Sequence, residues 1–136
     1  MIVVDSSVWI AALSRVESQV TLALRKAVAT GEVLVADLVL MEVLRGIANG
    51  DTAKKTLAQM SAFPIVEIGG ADIAIKAAFY YRLLRAGGFT LRSGIDIMLA
   101  AYCIEGAHEL LHKDRDFEHF EKFGLLAVNA GSAASR

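Results

Sequence analysis

Three acidic residues stand alone in apolar segments of the 136-residue sequence: Asp5 in MIVVDSSVWI, Glu42 in LVLMEVLRG and Asp96 in GIDIMLAAYC. An ionised carboxylate in such surroundings has to be paired, hydrogen-bonded or bound to a metal, because its unaided desolvation costs several kcal/mol. Each acid also has a simple structural explanation. Asp5 and Asp96 can cap helices, and Glu42 can form an ion pair with Arg45 on the same helix.

Two further acids, Asp114 and Asp116, follow an apolar segment near the C-terminal end of the chain. If that segment is a strand, both acids lie at the same sheet edge as Asp5. Converging carboxylates cannot all stay ionised without cations, and ligand sets made only of oxygen suit the hard ions Mg²⁺ and Mn²⁺. Such ions can activate a water and stabilise the leaving oxygen during hydrolysis of a phosphodiester. The sequence therefore predicts a divalent metal site and indicates phosphodiester hydrolysis.

A competing metal motif is the segment HELLH at 108–112, which matches the zinc-protease pattern H-E-x-x-H. That motif binds Zn²⁺ on a helix, where histidines four residues apart share a face. Here Gly106 precedes the segment and the polar turn KDRD follows it, which favours a strand. On a strand the two histidines lie ~13 Å apart, too far for one ion. A zinc hydrolase is therefore the weakest alternative, and His108 and His119 are interpreted as ordinary surface positions.

Short apolar segments alternate with amphipathic ones along the chain, which predicts strands separated by helices. The predicted strands are 2–4, 33–35, 65–68, 109–111 and 125–128. The predicted helices are 6–13, 20–30, 37–49, 51–63, 73–86, 93–105 and 117–123, with Ser6 or Ser7, Asp37 and Asp51 as the predicted caps of the first, third and fourth. This order favours a parallel sheet covered by helices on both faces, with the functional site beyond the carboxyl ends of its strands.

The composition excludes several classes of protein. Fourteen Lys and Arg against 15 Asp and Glu leave a formal charge of -1, which excludes a histone-like nucleic-acid binder. No run of ~18 uncharged apolar residues occurs, so no membrane span is predicted. No signal-peptide pattern opens the chain and Cys103 is the only cysteine, which indicates a cytoplasmic protein and a buried thiol. A hydrophobic share of 55%, against about 45–50% in average domains, suggests surface meant for another chain.

Four motifs, DSSVWI, MEVLRG, TLRSGIDIMLAAYC and LLHKDRDFEHF, follow one another along nearly the whole chain. In this order they resemble the PIN domain family, specifically the VapC-type ribonuclease toxins of toxin–antitoxin pairs. The resemblance implies a three-layer α/β/α domain with a central, mostly parallel sheet. It also implies endonuclease cleavage of RNA with one or two Mg²⁺ or Mn²⁺ ions. We expect a single domain over residues 1–130 and a flexible tail over 131–136, where the residues are small and polar.

The resemblance also implies roles for individual residues. The catalytic acids would be Asp5, Glu42, Asp96, Asp114 and Asp116, of which Asp5, Asp96, Asp114 and Asp116 would contact the metal directly. The candidate substrate contacts are Ser7, Arg92, His112, Lys113 and Arg115. His112 departs from the family pattern, in which Thr or Ser often stands two residues before the fourth acid.

VapC-type proteins typically form homodimers and bind an antitoxin segment in a groove lined by their early helices. The resemblance thereby explains the apolar excess. The candidate groove residues are Val8, Trp9, Ile10, Leu38, Leu40, Met41, Leu44 and Arg45, although helix periodicity predicts that at least half of the apolar ones belong to the core. Two alternatives stay open beside the zinc hydrolase: a PIN-type nuclease in RNA processing, and a non-catalytic α/β interaction module whose acids only cap helices.

Overall fold

The computed structural model describes residues 1–91, 93–128 and 130, and in this part of the chain strands alternate with helices. The strands are β1 (Ile2–Val4), β2 (Val33–Ala36), β3 (Ile65–Val66), β4 (Glu109–Leu111) and β5 (Leu126–Ala127). The helices are α1 (Ser6–Leu13), α2 (Gln19–Thr30), α3 (Asp37–Arg45), α4 (Gly50–Met60), α5 (Ala71–Ala86) and α6 (Gly94–Gly106), followed by a 3-10 helix (Arg115–Phe123). The predicted tail, 131–136, lies outside the described residues.

All five strands are parallel and lie in the order β3-β2-β1-β4-β5. The predicted parallel sheet is therefore confirmed. The chain moves outward from β1 to β3 and then returns to β4, on the other side of β1. The strand order thus reverses between β1 and β4, where Val4 pairs with Leu111. In open parallel sheets this reversal point, beyond the carboxyl ends of the strands, is where ligand sites form.

Two groups of helices cover the sheet and complete the three-layer α/β/α arrangement. Helix α1 contacts α2 and α3, and α3 contacts α4, whereas α5 packs on α6 and α6 on the 3-10 helix. Every residue of β1 and β2 is buried, as expected for parallel strands covered on both faces. Phe117 and Phe120, three residues apart on the 3-10 helix, share one side of it and are both buried.

Helix α4 shows where the predicted boundaries were wrong. Its cap is Asn49, whose Oδ1 accepts hydrogen bonds from the backbone N–H groups of Asp51 and Thr52 at 2.9 and 3.1 Å. The predicted cap, Asp51, lies in the first turn instead. Helix α3 correspondingly ends at Arg45, four residues before the predicted end at 49. Asn and Asp are nearly equivalent caps, so local sequence alone could not choose between them.

Asp37 is a structural acid and joins the start of α3 to the segment that follows β3. The cap position of α3 is Ala36, and Asp37 is the first helical residue. Its Oδ1 accepts hydrogen bonds from Leu38 N at 2.8 Å and from Ile68 N at 2.9 Å. Ile68 is fully buried, and the strand predicted over 65–68 ends at Val66 because this N–H bonds to the carboxylate rather than to β2.

We expect Asp37→Ala to lower the free energy of unfolding by about 1–3 kcal/mol, because the N–H of the buried residue Ile68 would lose its acceptor. Urea denaturation measures this change. Asp37→Asn keeps the Oδ1 acceptor and should lose less. The control is Asp51→Ala, which removes an exposed first-turn acid that accepts no hydrogen bond from a distant segment and should cost under about 1 kcal/mol. Equal losses for Asp37→Ala and Asp51→Ala would contradict the assigned role.

Candidate active site

Asp5 occupies the carboxyl end of β1 and is the N-cap of α1. Its backbone N–H donates to Leu111 O at 2.9 Å, which fixes it beside the end of β4. Its Oδ2 accepts from Ser7 N at 3.3 Å and from Ser7 Oγ at 2.5 Å, so the cap is Asp5 rather than the predicted Ser6 or Ser7. Only 5% of Asp5 is exposed, and within the described structure its Oδ1 is buried without a hydrogen-bond donor. This oxygen is therefore left with a desolvation penalty that a ligand would offset.

Glu42 is a half-buried acid on α3. Burial raises its pKa, the negative charge of Asp5 raises it further, and a hydrogen bond from Ser6 and the charge of Arg45 lower it. The predicted ion pair with Arg45 does form, at 3.8 Å from Nη2 to Oε2, but the Arg45 side chain is 64% exposed and such a pair stabilises little. The second oxygen, Oε1, is buried with no donor among the described residues. The ion pair therefore leaves half of this carboxylate unsatisfied.

Asp96 lies in the first turn of α6, whose N-cap is Ser93. The capping role considered for Asp96 is therefore wrong, because Ser93 Oγ accepts from the Asp96 backbone N–H at 3.4 Å. Burial, followed by the charges of four other carboxylates, raises the pKa of Asp96 from an ordinary 3.8 to about 7. Those four carboxylates belong to Asp5, Glu42, Asp114 and Asp116. The structure thus brings the five predicted acids together around Asp96.

Asp114 and Asp116 form the exposed side of this group, which we call the acid cluster (Asp5, Glu42, Asp96, Asp114 and Asp116). Asp114 is the N-cap of the 3-10 helix, and its Oδ1 accepts from Asp116 N at 2.9 Å. Asp114 is exposed and Asp116 half-buried, whereas Asp5 is buried. The acid cluster therefore has a closed side within the fold and an open side that a polymer could approach.

The donor chemistry of the acid cluster fits Mg²⁺ or Mn²⁺. All its side-chain ligands are carboxylate oxygens, which these hard ions prefer. The buried and unpartnered oxygens, Asp5 Oδ1 and Glu42 Oε1, are the atoms that a cation would satisfy. Over residues 1–91, 93–128 and 130, no three His, Cys, Asp or Glu side chains are placed so that they could hold a metal ion together. The acids have converged without the tight geometry of a preformed cage.

The residues predicted to contact the substrate differ in their positions relative to the acid cluster. Ser7 holds Asp5, as described above, and Lys113 and Arg115 are exposed on either side of Asp114. His112 packs on Phe117 with ring centroids 4.8 Å apart. Burial lowers the pKa of His112, although the charges of Asp5 and Asp114 oppose that shift. Arg92 lies outside the described residues.

The predicted groove residues separate into core and surface. Trp9 is buried against Phe63 at 5.7 Å between ring centroids and Val8 is fully buried, so neither lines a groove and their proposed role was wrong. Leu38, Leu40 and Leu44 are half-buried, and Met41 and Arg45 are exposed. A cavity of about 370 Å³ opens between α1, α3 and α4. Its apolar lining residues are Ile10, Leu13, Val43 and Ile47, of which the sequence predicted only Ile10 as a groove residue.

Two other predictions, the strand over 109–111 and the burial of Cys103, are confirmed by the structure. The segment 108–112 contains β4, so the predicted strand is confirmed and the helical zinc motif does not form. His108 stacks on Tyr102 with centroids 5.4 Å apart. Cys103 is buried, which raises the pKa of its thiol to about 12. In the described part of the chain, no helix combines the length and apolarity needed to cross a membrane.

The chain is similar in sequence to a known protein family and to individual proteins. The model of the family described as PIN domain matches residues 2–122. Ribonuclease VapC11 of Mycobacterium tuberculosis is 26% identical over 120 residues, which cover 87% of this chain and 90% of that protein. VapC ribonuclease Mb1587 of Mycobacterium bovis matches equally well.

Solved structures show the same fold. VapBC2 from Rickettsia felis, bound to a DNA fragment from its promoter, superposes with a TM-score of 0.73 at 14% identity and covers 94% of this chain and 98% of that chain. Mycobacterium tuberculosis VapC20, a sarcin-ricin loop cleaving toxin, gives a TM-score of 0.69 at 20% identity, with 94% and 98% covered. The likeness extends over nearly the whole length of both proteins.

The raised pKa of Asp96 predicts that the metal-free protein loses stability as the pH rises. The folded state binds this proton more tightly than the unfolded chain, so the stabilisation is complete below about pH 4 and is lost progressively toward about pH 7. We expect Asp96→Asn to make the free energy of unfolding depend less on pH over this range. In the parent, the decrease in that free energy amounts to at most a few kcal/mol. Urea denaturation in EDTA at pH 5 and pH 8 measures it. The exposed control Asp72→Asn should keep the parental slope, and a parental slope in Asp96→Asn would refute the explanation.

Proposed function

The chain belongs to the PIN domain family, and on that basis we propose that it is a metal-dependent endoribonuclease, the toxin of a VapBC-type toxin–antitoxin module. The carrying observation is the convergence of four carboxylates on Asp96 at the reversal point of the sheet. The curated relatives named above are ribonucleases, and they match most of the chain. We assign residues 1–130 to one PIN domain that hydrolyses RNA phosphodiester bonds in the cytoplasm.

In this mechanism Asp5, Asp96, Asp114 and Asp116 bind one or two Mg²⁺ or Mn²⁺ ions, and Glu42 ligates directly or through a water. When bound, these ions supply activation of the attacking water and stabilisation of the leaving oxygen. The Ser7 hydroxyl holds one oxygen of Asp5 and leaves Oδ1 for the metal. The expected products carry a 5′-phosphate and a 3′-hydroxyl.

The basic residues beside the acid cluster position the RNA. Lys113 and Arg115 flank Asp114 and are exposed, so both can contact phosphates while the carboxylates hold the metal. The lowered pKa of His112 keeps its imidazole neutral near neutral pH, which favours a hydrogen bond over an ion pair with a phosphate. Arg92 is proposed as a further phosphate contact.

We further propose a VapB-type antitoxin and a second copy of the chain as partners. Several solved relatives are VapBC complexes, among them those from Rickettsia felis and Salmonella typhimurium. The antitoxin segment would lie along the cavity between α1, α3 and α4 and across the exposed part of α3. Ile10 and Met41 are 47% and 41% exposed there, and Leu38, Leu44 and Arg45 complete the candidate surface.

We expect Asp5→Asn to abolish metal-dependent RNA cleavage and to reduce the thermal stabilisation by Mn²⁺, because it removes charge from the buried side of the acid cluster. Cleavage of a labelled RNA and melting curves with and without Mn²⁺ measure both effects. The matched control is Asp72→Asn, and His108→Ala tests the zinc alternative. Both should behave as the parent does.

Three outcomes would contradict the nuclease assignment. Parental cleavage by both Asp5→Asn and Asp96→Asn would exclude the acid cluster. A parent that neither cleaves RNA nor gains stability from Mn²⁺ would be the non-catalytic interaction module. Loss of stoichiometric zinc on His108→Ala would favour the zinc hydrolase.

The partner assignment predicts that Ile10→Glu weakens antitoxin binding at least tenfold, because a carboxylate would enter an apolar cavity. The partner to be tested is the product of any small gene that neighbours this one, and calorimetry measures the affinity. Leu22→Glu is the control, since Leu22 on α2 is similarly exposed, at 51%, and does not line the cavity. Unchanged binding in Ile10→Glu would place the antitoxin elsewhere. Cleavage with no such neighbouring gene would favour a nuclease of RNA processing.

A further inference from the structure

An aromatic and cationic patch lies on the surface near the acid cluster. We call it the stacking patch and define it as Phe89, His119 and Lys122. The rings of Phe89 and His119 have centroids 3.8 Å apart with planes tilted by 38°. The Lys122 ammonium lies over the Phe89 ring, 5.6 Å from its centroid, and 5.4 Å from the centroid of Phe123. Phe89 is nevertheless 38% exposed, so part of the ring remains available to a ligand.

The backbone holds Phe89 in this exposed position. Its N–H donates to Leu84 O at 2.9 Å, which continues the end of α5 into the loop. Gly88 adopts a φ of 91°, a left-handed conformation that favours glycine and turns the chain outward. Arg85 Nη1 donates to Thr90 Oγ1 at 2.8 Å across the same loop. Phe89 is therefore an exposed ring on a braced loop, which lowers the entropic cost of binding against it.

The 3-10 helix connects the stacking patch to the acid cluster. Asp116, His119 and Lys122 are spaced by three residues, and in a 3-10 helix side chains at this spacing eclipse one another. Each step of three residues advances about 6 Å along the helix axis. One side of the helix thus carries, in order, a carboxylate of the acid cluster, the imidazole that backs Phe89 and an exposed ammonium. A strand of RNA lying across this side would reach both places at once.

We propose that the stacking patch binds an unpaired nucleobase of the RNA substrate, adjacent to the phosphate at the acid cluster. This inference rests on the proposed function and deepens it by naming the residues that would hold a base beside the phosphate to be cleaved. An exposed aromatic ring offers a π-face to any base, and its neighbouring cation attracts the backbone phosphate. The ring and the ammonium thus match the two parts of a nucleotide, its base and its phosphate.

The test measures whether one base of a bound RNA depends on Phe89. Short single-stranded RNA oligonucleotides of a cleaved sequence, each with one abasic position, are titrated into Asp5→Asn protein with Mn²⁺, where cleavage does not interfere. We expect one abasic position to weaken binding about tenfold or more, as for loss of one stacked base. In Phe89→Ala this position should lose its effect, and in Phe89→Trp it should keep it. Phe79→Ala is the matched control, since Phe79 on α5 is 60% exposed and lies outside the patch.

An abasic profile in Phe89→Ala identical to that of the Phe79→Ala control overturns the proposal. If Phe89→Ala does not fold, Phe89→Leu keeps the bulk without the π-face and gives the same test. Altered dimerisation or antitoxin binding with an unchanged RNA profile assigns the patch to a protein partner and also overturns it. If the unmodified protein binds RNA in a base-dependent way but does not cleave it, only the proposed function is refuted. If it cleaves RNA but the abasic-position profile does not depend on Phe89, only the role of the stacking patch is refuted. Absence of RNA binding in every variant refutes both.

Discussion

Mutual repulsion among carboxylates is the constraint to which the rest of this structure responds. Five acids converge, and burial, together with the charges of the other four acids, raises the pKa of Asp96 to about 7. Helix ends offset part of that repulsion. Asp5 and Asp114 are N-caps, while Asp96 and Asp116 lie in first turns, so four of the acids meet the positive end of a helix. Each such placement stabilises a negative charge by about 0.3–1 kcal/mol. Glu42, which lacks one, has Arg45 beside it.

The parallel sheet makes this convergence possible. Because β1 and β4 are neighbours with their carboxyl ends at one edge, residues more than 100 positions apart in the sequence become adjacent there. The buried strands supply the free energy that holds the acids together, since β1 and β2 are removed from water along their whole length. Asp37 differs from the residues of the acid cluster. It also follows a buried strand, yet its Oδ1 is satisfied by two backbone N–H groups, so it stabilises the fold and leaves nothing for a metal.

Much of the fold and the acid set could be predicted because both depend on local pattern. Strand and helix types follow from residue periodicity, and a lone carboxylate in an apolar segment needs a partner wherever the segment lies. The strand over 109–111 was predictable from its flanking turn, which also excluded the zinc motif. The predictions that failed concerned either the choice between two residues that cap a helix equally well or the extent to which a side chain is buried. Asn49 rather than Asp51 caps α4, and Trp9 lies in the core rather than in a groove.

The sequence by itself determined the kind of chain this is: alternating strands and helices, acids at strand ends and helix starts, and a motif order similar to that of a nuclease family. Only the tertiary structure decided which distant groups meet. The hydrogen bond from Ile68 to Asp37 joins residues 31 positions apart. The ring of Phe89, in the loop after α5, packs on His119 in the 3-10 helix. The physical reason is that residue type and spacing constrain conformation over a few turns, whereas contacts between distant segments depend on how the whole core packs.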